Sequence, residues 1–226
     1  MSFRNSSVAG FEIVPAVLTE DPTEFEHILS AFKEAGASRV HIDVIDGSFV
    51  SGRTVLGYRE LSGRDLGMKL DVHLMVDRPD EHLVGWDRVP NISRVIAHVE
   101  AHGDPNLIAA DCAKQRREWW GAINPDSPID WLSTSGFADC MKGVMFMTVE
   151  PGAQGRPFRD DVLQRITAWK ESHATMPIMV DGGITPQTAP GCFLAGASVF
   201  AVGSYAVKAP DPSQALRAVS DAIRGA

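Results

Sequence analysis

His41-Ile42-Asp43-Val44-Ile45-Asp46-Gly47 reads as a strand running into a loop, and the rest of the chain takes its meaning from where that strand sits. Successive strand side chains alternate faces, so Val40, Ile42 and Val44 point one way and His41, Asp43 and Ile45 the other. An imidazole and a carboxylate two residues apart therefore share a face. That spacing suits two ligands on one hard or borderline metal, with the carboxylate also placed for proton transfer. Taken alone, the pair reads first as a buried histidine bonded to its neighbour. Similar signals further along the chain decide between the two.

Outward from this strand (39–44), short apolar or β-branched runs alternate with amphipathic stretches, which predicts a parallel sheet with crossover helices. The other expected strands are 11–18, 69–75, 93–99, 119–123, 143–149, 177–180 and 198–202. Helices are expected over 23–35, from Pro79, over 105–118, from Pro128, over 160–171, from Pro186 and over 212–224. A shorter helix is expected after the loop 47–53. Eight βα units of about 28 residues predict a closed (β/α)₈ TIM barrel, smaller than the usual ~250 residues. A doubly wound open sheet is the alternative, but its glycine fingerprint would follow the first strand. Here that strand ends in Pro15-Ala16-Val17-Leu18-Thr19, and the glycine-rich turns follow strands six, seven and eight. Residues 1–226 are read as one barrel domain, with 1–9 a flexible N-terminal extension.

Composition excludes several classes. The chain of 226 residues is 44% apolar and 22% charged, as in an ordinary globular protein. A net charge of −8 argues against a general nucleic-acid or anionic-membrane binder. No apolar run reaches transmembrane length, and Glu12 and Pro15 interrupt the only stretch resembling a leader. Cys112, Cys140 and Cys192 form no CxxC pair and read as free, mostly buried thiols. The expectation is a cytoplasmic protein.

In such a barrel the working groups sit at the C-terminal ends of the strands. Strand two supplies His41 and Asp43 there, strand three Asp71 and His73, and strand seven Asp181. Imidazoles and carboxylates from distant parts of the chain make a plausible Zn²⁺, Mn²⁺ or Fe²⁺ site, and the residues alone do not exclude Asp71. Gly152-Ala153-Gln154-Gly155, Gly182-Gly183 and Gly203-Ser204 offer backbone N–H groups to an anion without Cβ obstruction. Loops after strands seven and eight commonly hold phosphate in these barrels. Met75 and Met147 are candidate pocket-lining residues. His98 and Glu100 read as rim, with a place supporting the site from behind as the alternative, and His82, His102 and His173 as surface. Trp119, Trp120, Trp131 and Trp169 read as packing.

These motifs together, with Asn124-Pro125 and His98-Val99-Glu100, resemble the ribulose-phosphate 3-epimerase family from about Val14 to Val207. The resemblance implies a divalent metal (Zn, Fe, Mn or Co) on His41, Asp43, His73 and Asp181, with Asp43 and Asp181 the acid–base pair. It implies a ketose phosphate contacting His73 and Asp181, its phosphate held by Gly152, Ala153, Gln154, Gly155, Gly182, Gly183, Gly203 and Ser204. The implied reaction is inversion at C3, ribulose 5-phosphate to xylulose 5-phosphate, through an enediolate. The family's habit suggests a homo-oligomer.

Four positions depart from the pattern. Ala16 replaces a serine, Ile45 a methionine, Ala153 a phenylalanine and Gln154 a glycine. They leave the metal and the bases intact and alter the substrate's surroundings, so a hexulose 6-phosphate is the alternative substrate. A non-catalytic sugar-phosphate binder is a second alternative. A synthase, aldolase or decarboxylase would want a catalytic lysine, and Lys69 and Lys142 both stand at the wrong ends of their strands.

Overall fold

Strand and helix alternate along the chain because apolar runs of four to seven residues are punctuated by helix starts with built-in caps. Three helices open on Asp-Pro: Asp21, Asp104 and Asp211 each accept a backbone N–H of the first turn, while the proline that follows needs no partner there. A computed structural model describes residues 10–134, 138, 140–152 and 155–226. The extension expected at 1–9 lies outside the described residues.

The strands are β1 (Glu12–Val17), β2 (Arg39–Ile45), β3 (Lys69–Met75), β4 (Ile92–His98), β5 (Glu118–Ile123), β6 (Gly143–Met147), β7 (Ile178–Asp181) and β8 (Val199–Val202). All pair in parallel with their chain neighbours, and β8 returns to β1, closing a TIM barrel. The helices are α1 (Pro22–Glu34), α2 (Pro79–His82), α3 (Pro105–Gln115), α4 (Val162–Ser172), α5 (Ala189–Ala195), α6 (Ser204–Val207) and α7 (Pro212–Arg224). The helices bury their apolar stripes on the outside of the barrel, around residues such as Phe32, Val72, Phe146 and Leu216. Among the described residues no helix is long and apolar enough to cross a membrane.

Several expectations need correction. No helix forms between β2 and β3. Gly52, Gly57, Gly63 and Gly67 all take positive φ there, and the chain turns repeatedly instead. The helix expected to reach Glu118 stops at Gln115, where Arg116 adopts a left-handed conformation and Glu118 already begins β5. The segments carrying Trp86 and Trp131 are 3₁₀ turns, Leu83–Arg88 and Ile129–Ser133. Trp86, Trp119, Trp120 and Trp169 are buried, but Trp131 is exposed. His82 is half-buried against Asp46 and His173 stacks on Trp169, so of the three surface histidines only His102 is well exposed. The three cysteines are free, and Cys112 and Cys192 are buried.

Inside the barrel the side chains form levels. Near the strand N-termini Asp71 takes guanidinium hydrogen bonds from Arg39 and from Arg94 (3.0 Å), and both arginines also pair with Glu12. Arg94 lies over the Trp120 ring, 4.7 Å from its centroid. Apolar residues including Val14, Ile96, Trp120, Met145 and Met179 fill the interior beyond. The strand C-termini carry a different chemistry.

Candidate metal centre and active-site cavity

Register places the site. β2 and β3 run side by side with His41 opposite Asp71 and Asp43 opposite His73, so the latter pair stands one level nearer the barrel mouth. Asp181 ends β7, opposite Met147 of β6. Thr54 braces the end of β2: its Oγ1 donates to the Asp43 carbonyl (3.0 Å) and accepts from the Ile45 N–H. Thr148 does the same for β7, donating to the carbonyls of Asp181 and Gly182.

His41, Asp43, His73 and Asp181 converge, one donor atom of each lying within 4.8 Å of the others, and all four are buried. Asp43 Oδ1 stands 3.2 Å from His41 Nε2 and 2.8 Å from His73 Nδ1, and Asp181 Oδ2 lies 3.6 Å from His73 Nδ1. Asp71, left open by the residues alone, belongs instead to the arginine level.

The electrostatics divide the two carboxylates. Burial would raise both. For Asp43 the hydrogen bonds and charges of His41 and His73 prevail and hold it well below the usual carboxylate range. For Asp181, burial and the neighbouring Asp43 charge push the pKa up to about 7. Burial lowers His73 to about 4, whereas His41, also desolvated, is carried up to about 9 by Asp43. The donor set fits a divalent cation. Two carboxylates and two imidazoles share one buried point.

A cavity opens above this cluster, lined by Asp43, Asp181, Met75, Met147 and Ala16 and by the glycine turns that carry Gly152, Gly155, Gly182, Gly183, Gly203 and Ser204. Two close approaches there demand glycine. Gly152 (φ +106°) would place a Cβ 2.9 Å from the Ser51 carbonyl oxygen, and at Gly182 (φ +108°) a Cβ would collide with Val149. Ala153 and Gln154 lie outside the described residues. Ile45 is buried but does not line the cavity.

One feature escaped sequence reasoning and one was placed wrongly by it. Arg156 lines the cavity and makes no hydrogen bond or ion pair with a described residue. His98, expected at the rim, is 1% exposed and packs on His73. Strand alternation puts His98 on the face of Arg94 and Ile96, but both faces of β4 carry apolar residues, Ile92 and Ile96 on one and Val95 and Ala97 on the other, so parity alone does not mark that face as interior.

Residues 12–207 match the ribulose-phosphate 3-epimerase family. A ribulose-phosphate 3-epimerase from Synechocystis sp. is 29% identical over 219 residues, covering 94% of each chain. One from Eremothecium gossypii is 30% identical over 228 residues, covering 94% of this chain and 92% of that one. Among solved structures, 3-hexulose-6-phosphate synthase from Salmonella typhimurium aligns with a TM-score of 0.65 at 14% identity. That alignment covers 94% of this chain and 98% of the synthase, a likeness of fold alone.

Proposed function

The chain belongs to the ribulose-phosphate 3-epimerase family and is an isomerase of that type; from that premise we propose that it inverts C3 of a ketose phosphate, ribulose 5-phosphate first, with Asp43 and Asp181 as the acid–base pair. The observation that carries the reading is the convergence of His41, Asp43, His73 and Asp181 under a cavity lined also by glycine turns.

Inversion needs a proton removed from one face of C3 and another delivered to the opposite face. Asp43 and Asp181 come from strands three places apart around the barrel, and both line the cavity. Their environments push their affinities for a proton in opposite directions, the pattern expected of a base and an acid in one site. With substrate bound, Asp43 takes the C3 proton and Asp181 returns one, and the roles exchange in the reverse direction. A divalent cation on His41, Asp43, His73 and Asp181 would supply Lewis acidity to the substrate's carbonyl and hydroxyl oxygens, easing formation of the enediolate. Met75 and Met147 limit water around the planar carbon. The N–H groups of the glycine turns and the Arg156 guanidinium hold the phosphate.

A second reading keeps the chemistry and lengthens the substrate. Ala16 lines the cavity with a methyl where the family's pattern has a hydroxyl, which favours a hexulose 6-phosphate over a contact with a shorter sugar. Both readings are tested by ¹H NMR in D₂O with a panel of ketopentose and ketohexose phosphates. The C3 proton should exchange and the epimer accumulate. Asp43→Asn and Asp181→Asn should each slow the exchange about 10²–10⁴-fold with the fold retained. Exchange at the wild-type rate in both variants would refute the assignment.

A further inference from the structure

The four-donor cluster accounts for one nitrogen of His73, and the other leads away from it along a chain of hydrogen bonds. His73 Nδ1 faces Asp43 and Asp181, while its Nε2 lies 3.0 Å from Nε2 of His98. His98 Nδ1 is 3.2 Å from Glu100 Oε2, and Glu100 Oε1 accepts the Asn124 backbone N–H at 2.8 Å. The His98 ring is held on two sides. It stacks on His73, with centroids 5.1 Å apart and planes inclined 24°, and meets Phe49 at 4.9 Å.

The direction of each hydrogen bond follows from its last member. An ionised carboxylate only accepts, so Glu100 Oε2 takes a proton from His98 Nδ1. A neutral imidazole carries one N–H, which leaves a lone pair on His98 Nε2. His73 Nε2 is then the donor across the 3.0 Å contact, and its own lone pair falls on Nδ1, toward the two aspartates. In this tautomer no proton bridges His73 Nδ1 and the ionised Asp43 Oδ1, 2.8 Å apart, so that contact is relieved only by a cation between them; it is the tautomer a metal ligand requires. A ligating histidine whose second nitrogen is bonded onward to a carboxylate is a recurrent way of orienting the ring.

We propose that His98 and Glu100 are positioning residues that hold His73 as the Nε2–H tautomer, its Nδ1 lone pair turned toward a divalent cation. The inference rests on the metal-centre reading above and goes beyond it by assigning work to two residues that do not touch the cation.

The test combines ¹⁵N NMR of histidine-labelled, Zn²⁺-loaded protein with Zn²⁺ affinity measured by competition against a chromophoric chelator. The wild type should carry the His73 proton on Nε2. His98→Phe, which keeps an aromatic ring between Phe49 and His73, and Glu100→Ala should each weaken Zn²⁺ binding about 10- to 100-fold. His98→Gln, whose amide can accept from His73 and donate to Glu100, should recover most of that loss. A His73 proton on Nδ1 in the wild type would overturn the proposal without recourse to any variant. Wild-type Zn²⁺ affinity in His98→Phe would overturn the positioning role and leave the metal centre standing. A wild-type protein that binds no Zn²⁺ would remove both.

Discussion

Asp43 and Asp181 are chemically identical side chains that their surroundings make different, and His41 and His73 are a second such pair. The consequences are measurable. His41, raised to about 9, binds its proton more tightly in the folded chain than in the unfolded one. Its contribution is complete below about pH 6.5 and disappears as the pH climbs through 9, a loss of up to about 3 kcal/mol. Asp181, raised to about 7, acts in the same sense between about pH 4 and 7, while His73, lowered to about 4, opposes it there. EDTA-treated protein should therefore lose stability between pH 6.5 and 9 in urea titrations. Zn²⁺ affinity should rise over the same interval, because the cation displaces the protons of His41 and Asp181. Arg156 makes a separate prediction. A charged hydrogen bond of about 1.5–3 kcal/mol lost to substrate phosphate in Arg156→Gln should raise KM roughly 10- to 100-fold and weaken competition by inorganic phosphate. Its kcat should change little, since the guanidinium is assigned to the phosphate and the proton transfer to the two aspartates.

The strands were legible as short apolar runs, and strand β3 and helix α7 fall on their expected residues. Helix ends were less so. Asp-Pro starts are local chemistry and can be read; the stop at Arg116 cannot, because a non-glycine residue in the left-handed region carries no sequence mark. The four-residue α6 after Gly203 was invisible, being too short to show a period. The turn after β7 is where element geometry and function meet. Gly182→Ala would force a side chain into the left-handed region and into Val149. It should cost about 2–4 kcal/mol in chemical denaturation and raise KM for the phosphorylated substrate more than it lowers kcat.

Closure of the sheet gives the molecule two ends with different duties. One end carries the paired charges of Glu12, Arg39, Asp71 and Arg94, the other a cluster of donors drawn from β2, β3 and β7. A cation on donors from three strands would tie the mouth of the barrel together and bind only the folded chain. At free Zn²⁺ of about 100 times Kd the protein should gain about 2.7 kcal/mol, a rise in Tm of roughly 5–10 °C for a chain of this size. Calorimetry with and without EDTA would show it, and an unchanged Tm would count against the site.

Read in order, the residues were enough to announce a βα repeat, a His-x-Asp strand and three glycine turns, because alternation, capping and φ freedom are properties of neighbours. They were not enough to separate Asp71 from His73. Both lie on one face of one strand, and only the stagger of a closed barrel carries the first to Arg39 and Arg94 and the second to Asp43. Nor were they enough to place His98 against His73, since that contact joins β3 to β4 across the interior, where no local pattern reaches. Periodicity says which side chains share a face; the curvature of the sheet says which of them meet.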